Sequence, residues 1–92
     1  MRRALIELFL YRYVGQDGKS KPVREVTTSI PESELSIERV KDVATDFLTN
    51  NLDSPTIKKT DVNEWVATDM HGETYVLYVG VYTFTSDYFT EY

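Results

Sequence analysis

The chain contains no cysteine, one histidine and one tryptophan. The missing cysteine removes disulfide frameworks, thiolate-held zinc and cysteine nucleophiles together. Small secreted domains often depend on disulfides, so this composition points to a reducing compartment, the cytoplasm. With His71 as the only imidazole, a transition-metal site would lack the nitrogen and sulfur ligands it normally uses. Asp69, His71 and Glu73 alternate in one short stretch, but Gly72 marks a turn there and scatters the three groups. No metal and no cofactor are expected.

Catalytic signatures are also missing. There is no phosphate-binding loop and no dinucleotide fingerprint. None of the serines lies in a Gly-x-Ser-x-Gly elbow, and Ser33 and Ser36 are sufficiently explained as helix caps. Fifteen acidic residues are present, yet their spacing singles out no pair for acid–base work. The expectation is a protein that is not an enzyme.

No stretch approaches the roughly 20 apolar residues of a membrane helix. Arg2-Arg3 followed by Ala-Leu-Ile-Glu-Leu-Phe-Leu starts like a signal peptide, but Glu7 interrupts the run and Arg12 ends it. No small-residue cleavage site follows. Neither secretion nor a membrane partner is expected.

Basic residues are missing from the last third. After Lys59 there is no lysine or arginine, against Asp61, Glu64, Asp69, Glu73, Asp87 and Glu91. The net charge of −5 is therefore uneven: residues 1–30 carry +3 and residues 31–92 carry −8. An acidic balance disfavours nucleic acid and anionic lipid and favours basic partners or plain solubility. Those six carboxylates are the candidate contacts for a partner with a basic surface.

What is present is β-rich and aromatic. Thr74–Thr85 reads Thr-Tyr-Val-Leu-Tyr-Val-Gly-Val-Tyr-Thr-Phe-Thr, uncharged and almost wholly β-branched or aromatic. Alternation sets Tyr75, Leu77, Val79 and Val81 on one face and Val76, Tyr78, Tyr82 and Phe84 on the other. Both faces are apolar, which predicts a central strand covered on both sides. Residues 3–14 predict a first strand, with Ala4, Ile6, Leu8, Leu10 and Val14 opposite Leu5, Glu7, Phe9, Tyr11 and Tyr13. The Gly15–Lys19 turn leads to a polar second strand over 23–30, suited to a sheet edge. A helix over 34–50 follows, with Ile37, Val40, Ala44, Phe47 and Leu48 as its apolar stripe. Residues 56–69 predict a third strand, and Asp69–Glu73 a hairpin turn. Ser86–Tyr92 is a short acidic, aromatic tail.

The expected fold is a single two-layer α+β domain in the order ββαββ. One helix lies on one face of a four-stranded, mainly antiparallel sheet. One helix cannot cover two apolar faces. Phe9, Tyr11, Tyr13, Tyr78, Tyr82 and Phe84 should then form an aromatic patch larger than monomers usually expose. The tail, a second copy or a partner should cover it, and a homo-oligomer is expected.

The leading expectation is a small acidic binding protein, an inhibitor or adaptor that occludes a partner's surface. Size, acidity and the absent catalytic set resemble those of small phage-encoded inhibitors such as anti-CRISPR and anti-restriction proteins, some of which mimic DNA. The likeness is one of type and rests on no particular residue. The alternatives are a subunit of a larger assembly and a single-stranded nucleic-acid module. In the latter, Tyr11, Tyr13, Tyr78 and Tyr82 would stack bases, and Arg2, Arg3, Arg12 and Lys19 would meet phosphates.

Overall fold

A computed structural model describes residues 2–13 and 22–85. Val14, the Gly15–Lys19 turn and the Ser86–Tyr92 tail, with Asp87 and Glu91, lie outside the described residues. The elements are β1 (Arg2–Arg12), β2 (Arg24–Pro31), a single 3-10 turn (Glu32–Glu34), α1 (Ile37–Asn51), β3 (Thr56–Asp61), β4 (Glu64–Thr68) and β5 (Thr74–Thr85). Among the described residues the fold is α+β, with one α-helix and a five-stranded antiparallel sheet in the order β2-β1-β5-β4-β3.

The expected four strands and ββαββ order are corrected to five strands and ββαβββ. Residues 56–69 are not one strand but a tight hairpin turning at Val62-Asn63. Asp61 makes that turn: its Oδ1 accepts the Val62 N–H at 2.7 Å. A short polar side chain bonding its own neighbouring backbone is a recurrent turn device. The ladder also shifts register between Lys59 and Asp61.

The central position of β5 follows from its composition. Its odd-numbered residues pair against the helix-facing residues of β1: Ile6 with Val81, Leu8 with Val79, Leu10 with Leu77. Ala4, Ile6, Leu8 and Leu10 are buried, as are Trp65 and Ala67 of β4 and Ile30 of β2. Each fully buried large aliphatic side chain contributes roughly 1.5–3 kcal/mol. Ala44, Phe47 and Leu48 of α1 complete the core, with Val40 and Val43 partly buried beside them.

Ser36 starts the helix, its side chain accepting the Arg39 N–H at 3.0 Å, which satisfies one of the unpaired first-turn donors. At the other end the Asn51 side chain donates to the Phe47 carbonyl at 2.7 Å. Ile37, expected in the core, is instead 82% exposed. It is the first helical residue, and it stands beside an open groove rather than over a strand. Gly72 supplies the positive φ of +85° that the β4–β5 turn needs. Among the described residues, no helix is long and apolar enough to cross a membrane.

Candidate interaction surface

The pleat that buries one side of each strand presents the other. On β1 the outward residues are Arg3, Leu5, Glu7, Phe9 and Tyr11, and on β5 they are Val76, Tyr78, Gly80, Tyr82 and Phe84. Glu64, Val66 and Thr68 continue this face on β4. The helix lies on the opposite side, and no described element covers this face. The expectation of a central strand is met. The expectation that β5 is covered on both sides is met on the helix side alone among the described residues.

Apolar side chains dominate the two central strands of the face, with Arg3 and Glu7 of β1 among them and Glu64 and Thr68 beside them on β4. Leu5, Phe9, Tyr11, Val66, Val76, Tyr78 and Tyr82 occupy the inner strands. The outer strands present Glu25, Thr27 and Ser29 on β2, and Thr56 and Lys58 on β3. An aromatic-rich centre inside a polar rim is common in protein interfaces. Tyr78 and Tyr82 are 46% and 56% exposed, and Tyr13, just beyond β1, is 50% exposed. Phe84 is partly buried.

Local contacts set the aromatic rings. Tyr11 and Tyr78 meet edge to face with centroids 5.6 Å apart. Glu64 sits beside Tyr78 in the β4–β5 register and accepts a bond from the Thr60 hydroxyl at 2.8 Å. The Tyr78 hydroxyl is held above its ordinary pKa, first by partial burial, then by the charge of Glu64 and a hydrogen bond to it, with a smaller contribution from Tyr11. At Gly80 the Tyr82 ring folds back over the strand: a Cβ there would lie 3.1 Å from its Cε2.

The four acidic candidates among the described residues do not gather into one patch. Asp61 and Glu64 flank the β3–β4 turn. Asp69 and Glu73 flank the β4–β5 turn at the other end of β4. All four have local structural partners: besides the Val62 N–H on Asp61 and the Thr60 hydroxyl on Glu64, Asp69 Oδ1 accepts the N–H groups of His71 and Glu73, and Glu73 receives a two-pronged contact from Arg12 at 2.8 and 3.1 Å.

His71 Nε2 lies 3.5 Å from the Asp53 carboxylate, both exposed. Among the described residues, no three histidine or acidic side chains are grouped to hold a metal ion. The candidate phosphate contacts are engaged as well. Arg2 pairs with Glu32 at 2.8 Å, Arg12 with Glu73, and Arg3 donates to the Ser29 hydroxyl at 2.8 Å; Lys19 lies outside the described residues.

Sequence reasoning left Val66 out of the face because it ran β3 and β4 together. The turn residues Asp61 and Asn63 were the available signal. Comparison of the chain with protein-family models, with curated proteins and with solved structures finds no match.

Proposed function

We propose that this chain is a non-enzymatic binding protein, an inhibitor or adaptor that occludes the surface of a partner protein with its uncovered sheet face. The observation that carries the reading is the cluster of aromatic and aliphatic side chains left uncovered on that face among the described residues. Leu5, Phe9, Tyr11, Tyr78 and Tyr82 form it, with Glu7 between Leu5 and Phe9 on β1 and polar residues of the two edge strands as the rim. Aromatic side chains are the usual anchors of such interfaces. The overall charge of −5 favours a partner with a basic surface. Without that partner, the same face is expected to pair with a second copy, the commonest way to close such a surface.

Nucleic acid is the weaker reading. Stacking rings are available, but Arg2 and Arg12 are already paired with Glu32 and Glu73, and Glu7, Glu25 and Glu64 share the face. Phosphate binding needs unneutralised cations.

The test is capture from native lysate followed by mass spectrometry, with the wild-type chain beside Tyr78→Ser/Tyr82→Ser. A partner held by the wild type and lost by the double variant supports the reading. A partner held equally by both overturns it.

A further inference from the structure

On one side, β5 outruns its neighbour. β4 begins at Glu64, and the Val79 N–H donates to the Asn63 carbonyl at 2.9 Å in the adjoining turn. The hydrogen-bond ladder sets the direction of each main-chain group beyond that point. The Tyr13 N–H donates to the Thr74 carbonyl at 2.8 Å, in line with the β1–β5 register. In an antiparallel pair, bonded residues alternate with non-bonded ones. The even-numbered residues of β5 therefore bond to β1, and the odd-numbered ones turn to the β4 side. The main-chain groups of Val81 and Thr83 point to an edge that no described strand occupies. From Gly80 to Thr85 there is no charge and no proline, the usual devices that blunt an edge.

That edge borders a groove of about 540 Å3. Leu35 and Val40 line it from the helix layer, and Trp65 and Val81 from the sheet. Ile37 and Val62 stand at its margins, 82% and 74% exposed. The volume is that of a ligand site, and the lining is mostly apolar, with Ser36, Asn63, Lys41 and Lys59 as its polar residues. Lys59 Nζ lies 5.1 Å from the Trp65 ring centroid and donates to the Val62 carbonyl at 3.1 Å. Lys41 also lines the groove, and its side chain has no hydrogen bond or ion pair with a described residue.

We propose that this edge and groove bind an extended strand of a partner protein, one carrying a bulky apolar side chain with a carboxylate two residues away. A strand added beside β5, along the line of β4, would bond to Val81 and Thr83 through its main chain and alternate its side chains between the two faces. Val81 faces the helix side, so the residue opposite it places its side chain in the groove. The position opposite Val79 is taken by Asn63, so the residue two positions away on the same side is the one opposite Thr83, where the lysines of the groove, Lys41 and Lys59, favour an acid. Symmetric pairing of two β5 edges about Tyr82 sets Thr83 opposite Val81, and threonine is too small and polar to fill the groove. A fatty acid would use the groove and the lysines but not the main-chain edge.

The test is selection of a displayed library of random eight-residue peptides on the wild-type chain, with oleate as the lipid probe. Thr83→Pro removes the edge N–H while leaving the β1–β5 bonds in place. Lys41→Glu reverses the exposed charge; circular dichroism checks that both variants fold. The expected result is enrichment of alternating peptides with a bulky apolar residue two positions from Asp or Glu. Their affinity falls roughly tenfold or more on Thr83→Pro and about threefold on Lys41→Glu. Tyr78→Ser, on the other face, leaves it unchanged, which separates this site from the sheet-face reading. If Thr83→Pro does not fold, loss on Lys41→Glu with retention on Tyr78→Ser carries the test. No enrichment, or enriched peptides without the acid, would overturn the proposal. So would equal binding to Thr83→Pro, oleate binding that persists in Thr83→Pro, or dimers of the chain that Thr83→Pro abolishes.

Discussion

Tyr11 and Tyr78 meet edge to face across the β1–β5 pair, with ring centroids 5.6 Å apart and planes at 76°. They are diagonal neighbours, since Tyr78 stands opposite Phe9 and Tyr11 opposite Val76. The contact fixes two rings at the centre of the open face and is worth about 0.5–1.5 kcal/mol beyond the area buried. Pre-set anchors lose less freedom when a partner docks.

The Tyr78 hydroxyl reports on this arrangement. Its pKa lies above the ordinary 10.0, and tyrosine is neutral when protonated. Folding therefore favours the phenol. The stability this adds is complete below the unfolded value and is lost as pH rises through the higher folded one. Glu64→Gln should lower the Tyr78 pKa but leave it above the ordinary value, because partial burial is the larger cause. Carbon-13 NMR of the tyrosine Cζ resonances measures it. An unchanged value would show that Glu64 does not act on Tyr78.

Gly80→Ala should be tolerated. The added Cβ meets the far end of the Tyr82 ring at 3.1 Å, and that ring is 56% exposed and has room to move. Glycine inside a strand is itself unfavourable by about 0.5–1 kcal/mol relative to alanine. Chemical denaturation should find the variant within about 1 kcal/mol of wild type, with the Tyr82 ring signals shifted. A larger loss would mean that Tyr82 is pinned over Gly80.

Most of the layer structure was legible because burial writes itself into alternation. Ala4, Ile6, Leu8 and Leu10 against Leu77, Val79 and Val81 could be read directly, whereas the helix cap could be narrowed only to Ser33 or Ser36, and Ser36 holds it. The β3–β4 hairpin was not, because Lys58 to Glu64 is polar almost throughout and carries no period. Turn chemistry at Asp61 and Asn63 decided it. Ile37 fitted the helical stripe, but periodicity cannot tell whether a strand lies beneath the first turn. The aromatic face was legible, whereas the groove depends on where β4 stops.

Phe47→Ala tests the core. Phe47 is 8% exposed and lies among Ala44, Leu48 and the inner face of the sheet. Loss of a buried phenylalanine side chain typically costs about 3–5 kcal/mol, a large fraction of the stability of so small a fold. Thermal unfolding within a degree or two of wild type would remove Phe47 from the core.

Self-association should follow charge as well as apolar area. Each copy carries −5, so repulsion opposes pairing at low salt and is screened as the Debye length shortens to about 8 Å near physiological ionic strength. Light scattering should show a dimer fraction that rises with protein concentration and salt, and that falls when Tyr82→Lys adds a charge to the face. A monomer under all these conditions refutes pairing and leaves the face to a different protein.

The central claim is that the open sheet face is the docking surface. Tyrosine nitration, mapped by mass spectrometry, tests it on the isolated chain at low concentration and again on the complex recovered by native capture. Tyr78 and Tyr82 should react in the isolated chain and be protected in the complex. Equal reactivity of Tyr78 and Tyr82 in both states would contradict the claim.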